Sequence, residues 1–184
     1  MPSSFSHAIG GLALGSPLLR SRVPRRYWWL AAACATVPDL DYLWSYRGTL
    51  GPEHWLAHRG LTHSLIFALV LGALIARVGF DRAAASPSRW TLWGALTLAT
   101  ASHGFLDSLS SYGAGVAFFL PITSRRFFFP WRPIDAGPGL HDHGMLGGLS
   151  ETIGRELLWI WLPALVLLTL TARWRGARAR RPDN

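Results

Sequence analysis

The chain contains no lysine; all 18 of its basic residues are arginine. It has a single cysteine, Cys34, so no disulfide can close within the chain and a zinc site built on thiolates is excluded. Cys34 lies in an apolar run and reads as a small core or lipid-facing residue. No Gly-x-Ser-x-Gly elbow and no candidate catalytic cysteine are present, so covalent serine or cysteine hydrolysis finds no support. No basic stretch precedes the apolar N-terminus. Arg20, Arg22, Arg25 and Arg26 follow it instead, the reverse of a secretory signal peptide. Internal repeats are absent, and the only biased segment is the arginine-rich C-terminus. Acids are scarce, ten against 18 bases, for a net charge of +8.

What the chain does have is apolar surface. Hydrophobic residues make up 50% and aromatics 12%, with ten tryptophans. Mean hydropathy is +0.23, high for a soluble protein. Five apolar segments stand out: residues 5–19, 27–37 with an extension over 40–44, 61–76, 90–106 and 157–172. Thr62 is a candidate N-cap for the third and Ser88 opens the fourth. Each segment lies near the lower end of the roughly 17–25 residues that cross a bilayer. Five of them joined by arginine-rich loops predict an all-α, integral membrane bundle of about four to five apolar helices. One domain over 1–172 is expected, followed by a basic, disordered tail over 173–184.

The arginines orient this bundle. If all five segments cross, the first loop (Arg20, Arg22, Arg25, Arg26), the third loop (Arg77, Arg82, Arg89) and the tail (Arg173, Arg175, Arg178, Arg180, Arg181) share one side. That side holds twelve of the 18 arginines and only two acids, Asp81 and Asp183. The positive-inside rule makes it cytoplasmic. The net positive charge then serves orientation and anionic lipid contact. Nucleic-acid binding is the weaker reading, because these arginines are not interleaved with aromatics as in a single-strand groove.

The same alternation collects polar residues on the opposite, non-cytoplasmic side. His7 starts the first segment, Asp39 and Asp41 end the second, His58 and His63 start the third, and His103 and Asp107 end the fourth. Ionisable groups at such depth mark function. His103 and Asp107 are an i,i+4 pair that projects from one helix face toward one ion. Asp39 and Asp41 flank Leu40 just after Pro38; one can ligate while the other orients a histidine or acts as base. His58 and His63, with Gly60 as a break between them, can converge at a helix N-terminus, and Arg59 offers a bidentate donor for a phosphate or carboxylate. Histidine and carboxylate without thiolate suit Zn²⁺, with Mn²⁺ or Fe²⁺ also accommodated. Seven candidates exceed one tetrahedral shell, so one to two ions are expected, two being bridged by Asp107 or Asp39. Such a pair activates water for phosphoester displacement. His54 stands close to the second histidine pair. His141, Asp142 and His143 form a polar loop better read as solvated than as a second site. Glu151 and Glu156 flank the last segment, and Glu156 reads as a ligand or a favourable charge at the helix start. The run from Arg125 to Arg132, with Phe127, Phe128, Phe129 and Trp131 inside it, reads as an interfacial aromatic belt, or a way in for a lipid-like substrate.

His7, then Pro38-Asp39-Leu40-Asp41, then His58-Arg59-Gly60-Leu61-Thr62-His63-Ser64, then His103-Gly104-Phe105-Leu106-Asp107 together resemble the YdjM-type family of bacterial inner-membrane, metal-dependent hydrolases. The resemblance spans roughly residues 1–125. The order of ligands is also similar to that of the zinc-dependent phospholipase C and P1 nuclease group. It implies His7, Asp39, His58 or His63, His103 and Asp107 as ligands. That group's third-metal ligands find no match by spacing in His141, His143 and Glu151. The combined expectation is an inner-membrane, multi-pass hydrolase of a phosphorylated, lipid-like or small substrate. Asp41 and Arg59 would be its catalytic residues, and the oligomeric state is left open. The alternative is a non-enzymatic membrane protein, such as a transporter or assembly factor, with a structural or ion-path metal.

Overall fold

A computed structural model describes residues 2–19, 23–45, 50–51, 53–80, 87–111, 113–134 and 152–179. Helices form where the sequence offers both a cap and an apolar run. The Ser3 hydroxyl accepts the Ser6 backbone N–H and opens α1, Ser4–Gly15, which runs into a 3₁₀ turn at Ser16–Leu18 around Pro17. Pro24 precedes α2, Arg25–Thr36. Pro38 denies the backbone a donor, and the chain tightens into the 3₁₀ turn Val37–Asp41 before the short α3, Tyr42–Ser45. A second 3₁₀ turn, Leu61–His63, leads into α4, Leu65–Val78. Its cap is Ser64, not Thr62, which donates its hydroxyl to Asp41 instead. Ser88 caps α5, Arg89–Ser108, as its position promises. The last helix begins at Thr152, passes through a π-helical turn at Leu157–Trp161, where Leu162 N–H reaches Leu157, and continues as α6, Leu162–Ala179. Pro163 cannot supply the i→i−4 bond there, a sufficient reason for the π turn.

α1, α2, α4 and α5 pack as one bundle, and the terminal helix lies against α1. Helices approach closely because the contacts are small residues: Ala31, Cys34, Ala35, Ala95 and Ala99 are all buried. A β-carbon at Gly11 would collide with Ala35 and stand 3.0 Å from the Ala99 carbonyl oxygen. Cys34 is therefore a core residue. Successive helices alternate in direction. Arg26 lies over the Phe80 ring at 5.1 Å and Arg175 over Trp28 at 6.0 Å, so described arginines of the first loop and of the C-terminal segment meet at one end of the bundle. The opposite end carries the polar residues. There the segment 109–134 folds over the helix ends through paired bonds between Val116 and Phe127 and through Ala117 N–H to the Arg59 carbonyl. Among the described residues there is no strand, only two isolated bridges, so the chain is all-α as expected.

Among the described residues one helix, Thr152–Arg178, is long and apolar enough to cross a membrane, and α4 is apolar but shorter. The sequence led us to expect four to five such helices. α1 and α2, of 12 residues each, extend only about 18 Å before Pro17 and Pro38 break them, against a hydrocarbon core of about 30 Å. Exposed apolar side chains nonetheless cover the outside, among them Leu69, Val70 and Leu74 of α4 and Leu162, Leu165 and Leu170 of α6. The terminal helix also runs beyond 172 to Ala179, since alanine and arginine both favour helix, so the expected disordered tail is helical over its first residues.

Candidate metal centre

Four helix ends deliver the site. His7 comes from the second turn of α1, Asp39 and Asp41 from the 3₁₀ turn after α2, His58 and His63 from the segment before α4, and His103 and Asp107 from the last turns of α5. The α5 pair faces inward at its i,i+4 spacing. All seven residues singled out in the sequence meet at one end of the bundle. His7, Asp41, His103 and Asp107 are fully buried, and His63 is nearly so.

They form two overlapping groups. Asp39, His58, His63 and Asp107 offer ligand atoms within 4.8 Å of one another, and so do His7, His103 and Asp107. Asp107 belongs to both. Its Oδ1 lies 3.6 Å from His7 Nε2, while Oδ2 lies 3.4 Å from His63 Nε2 and 3.9 Å from His103 Nε2. Asp39 Oδ1 stands 3.2 Å from His103 Nε2 and 4.0 Å from His63 Nε2. The His7 and His103 rings stack at 3.7 Å between centroids, tilted by 14°.

The hydrogen bonds around the site fix which nitrogen faces it. His103 Nδ1 is 2.7 Å from the Ala35 carbonyl oxygen, which can only accept, so Nδ1 carries the proton. In the Nδ1–H tautomer, Nε2 presents a lone pair to the Asp39 carboxylate. Asp41 does the same work for two rings. Its Oδ1 is 2.7 Å from His58 Nδ1, and its Oδ2 takes the Thr62 hydroxyl at 2.7 Å and lies 3.2 Å from His63 Nδ1. Both Nε2 atoms are thereby turned inward. The Nε2 atoms of His7, His58 and His63 and both Asp107 oxygens are buried without a hydrogen-bond partner. Lone pairs directed at carboxylates across 3.2–4.0 Å repel unless a cation lies between them. Ligands bound at about 2.0–2.1 Å in a tetrahedron stand roughly 3.3 Å apart, so the spacing suits a divalent ion. The residues present therefore fit a metal. A carboxylate beside α2 agrees. Burial raises the Asp41 carboxyl, but hydrogen bonds from His58, His63 and Thr62 outweigh it and hold it below the ordinary range.

Arg59 is placed differently from the expectation that it meets a substrate anion. It is 1% exposed and adopts a left-handed φ of 63°. Its Nη2 donates to Ser110 Oγ at 3.1 Å, and Nε makes an ion-pair contact of 3.1 Å with Asp107 Oδ2 that is not aligned as a hydrogen bond. It holds the shared carboxylate. Asp41 likewise contacts His58 and His63, a geometry that suits an orienting role. His54 takes no part; its Nδ1 accepts the Leu56 N–H at the surface. Glu156 is no ligand either, because its carboxylate binds Ser3 and Ser6. His141, Asp142, His143 and Glu151 lie outside the described residues. Sequence reasoning missed Thr62, Ser110 and the Ala35 carbonyl. Only Thr62 left a signal, standing beside His63 in the same motif.

The least buried members of the cluster are Asp39 and His58, whose side chains are 16% and 19% exposed. Leu40, Leu43, Trp44, Trp55 and Leu56 are exposed close by in sequence, Trp44 tying the two segments together through Nε1–H to the Leu56 carbonyl. The Tyr42 ring rests 4.2 Å from that of His58. Arg126 closes another side, its Nη1 bonding the His58 and Gly115 carbonyls. In the aromatic segment behind it, Arg125 lies over Phe127 and Arg132 over Phe128.

Comparison with known proteins follows the same lines. A model of the YdjM inner membrane protein family matches residues 1–178. The inner membrane protein YbcI of Escherichia coli (strain K12) is 33% identical over 168 residues, covering 91% of this chain and 95% of that protein. No solved structure matches. The chain belongs to the YdjM family of inner membrane proteins.

Proposed function

We propose that this YdjM-family membrane protein is a metal-dependent hydrolase of a phosphoester whose reacting group enters between Asp39 and His58. The observation that carries the reading is the convergence of buried, unpartnered Nε2 atoms and carboxylate oxygens at metal-ligand spacing. Asp39, His58, His63 and Asp107 would hold one ion and His7, His103 and Asp107 a second, Zn²⁺ suiting the ligands best. Ions bound there supply Lewis acidity and lower the pKa of water to about 7, the usual basis of phosphoester hydrolysis.

The protein's own groups do the rest. Asp41 and the Ala35 carbonyl fix the tautomers of three histidines. Arg59 and Ser110 hold Asp107, which serves both ion groups. Burial of His7, His63 and His103 keeps water from the far side of the centre. The apolar surroundings of Asp39 and His58 suit a lipid-linked phosphate better than a free one. With the helices alternating, the site end would face the non-cytoplasmic side and the arginine-rich end the cytoplasm.

The closed inner half of the shell favours a second reading, a structural or ion-path metal in a non-enzymatic membrane protein. The test is elemental analysis of purified protein followed by a panel of phosphomonoesters and phosphodiesters, in detergent and in vesicles. Hydrolysis that a chelator abolishes and metal restores supports the first reading. Full metal content with no turnover on the panel supports the second. No bound metal overturns both.

A further inference from the structure

Three of the four buried or half-buried site histidines have a hydrogen bond that sets the ring: His103 to the Ala35 carbonyl, and His58 and His63 to Asp41. His7 has none. Both of its ring nitrogens lack a hydrogen-bond partner, and stacking on His103, the 3.6 Å approach of Nε2 to Asp107 and its own backbone place it. Metal-bound histidines are ordinarily steered through the second nitrogen, and losing such steering weakens metal binding about 10–100-fold. The position of His7 therefore depends on α1 itself.

The first turn of α1 is gripped from outside. Glu156, 3% exposed, receives the Ser3 backbone N–H at 2.6 Å, the Ser3 hydroxyl at 2.7 Å and the Ser6 hydroxyl at 2.7 Å. Trp161, one turn further along the terminal helix, donates its indole N–H to the same Ser6 hydroxyl at 2.7 Å. The carboxylate sits where the helix dipole favours negative charge. His7 N–H bonds the Ser3 carbonyl, so the ring hangs one residue past the clamped turn. The π-helical turn between Glu156 and Trp161 adds a residue to that turn of backbone, where both side chains reach Ser6.

We infer that Glu156 is a positioning residue for the ion held by His7, His103 and Asp107, acting through Ser3, Ser6 and the first turn of α1. The proposal rests on the metal-centre reading above. It also makes the terminal helix, the one long enough to span, part of the metal site's support rather than only an anchor.

The test uses the full-length protein and counts Zn²⁺ per chain at a buffered free concentration, with helix content followed in parallel. Glu156→Gln keeps the shape but sets an amide N–H₂ against a donor. It is expected to weaken the second ion at least about tenfold, matching the stoichiometry of His7→Ala, while the first ion stays. Ile160→Ala is the control, since Ile160 packs the same helix onto Leu106 and an aliphatic side chain makes no hydrogen bond to Ser3 or Ser6. It should keep both ions. If Glu156→Gln binds both ions as the wild type does, the proposal is overturned. It is equally overturned if Ile160→Ala loses the same ion, which would make the effect one of helix packing, or if the wild type holds one ion that His7→Ala leaves in place. Should Glu156→Gln fail to accumulate, Ser6→Ala carries the same expectation and the same refutation. A wild type without metal would instead overturn the metal-centre reading itself.

Discussion

Asp107→Asn separates what the shared carboxylate does for the fold from what it does for the metal. The substitution keeps volume and removes charge. In metal-free protein it takes the charge of Asp107 away from the Arg59 guanidinium, which is 1% exposed and 3.1 Å from it. Breaking a buried pair from one side costs about 3–5 kcal/mol. At about 2–4 °C of Tm per kcal/mol for a chain of this size, the apo protein should melt roughly 6–20 °C lower. Removing both charges is different, since replacing a whole buried pair is often close to neutral. Arg59→Met combined with Asp107→Asn should therefore recover most of the lost Tm, and the cycle reads the coupling directly. Metal behaves otherwise. Asp107 belongs to both ligand groups, so both the single and the double variant should bind neither ion. The wild type should gain about 2.7 kcal/mol at a free metal concentration 100 times Kd, and the variants nothing. The assay is thermal melting with and without Zn²⁺ beside elemental analysis. Wild-type metal content in the double variant would refute the shared-ligand reasoning, whatever the melting shows.

Asp41→Asn should lower metal affinity about 10–100-fold while leaving the ligands in place, because an amide cannot accept from both His58 and His63; competition with a chromophoric chelator measures it, and unchanged affinity would remove Asp41 from the site. Metal binding should weaken as pH falls, because protons compete with the ion for the imidazole nitrogens. Asp41, held below the ordinary carboxylate range, contributes stability that is whole above about pH 4 and is lost as pH drops further, so acid melting of Asp41→Asn should be flatter than that of the wild type. For topology, a cysteine at Ile122, which is 90% exposed at the site end, should react in intact cells with a membrane-impermeant thiol reagent, and one at Arg178 should not. Cys34 is buried and gives little background. The reverse labelling pattern would turn the protein over in the membrane.

Much of the site was legible because its residues are costly where they stand. Asp41, His103 and Asp107 flank apolar helices, and an acid or imidazole in such a place has few reasons other than a ligand or a charge partner. The HxxxD spacing on α5 follows from helix geometry alone. Roles were less legible than membership. Arg59 carries a donor fork suited to a phosphate, but the left-handed turn at that residue folds the fork back onto Asp107 and Ser110. Thr62 looked like a helix cap until Asp41 claimed its hydroxyl and Ser64 took the cap. Glu156 lies about 150 residues from the serines it grips, a distance across which pattern carries no information.

The sequence by itself determined the helical class, the alternation of helix ends and the set of residues collected at one of them. Those follow from the apolar runs, from Pro38 at the end of the second, and from arginine placement, all of which act locally along the chain. The tertiary structure alone decided which atoms face one another. That Asp107 serves two groups, that Asp41 turns two rings inward and that the terminal helix holds α1 in place depends on side chains from four or five separate segments meeting within a few ångströms. Local propensity says nothing about such meetings, because packing of distant segments, not the chain's own period, sets them.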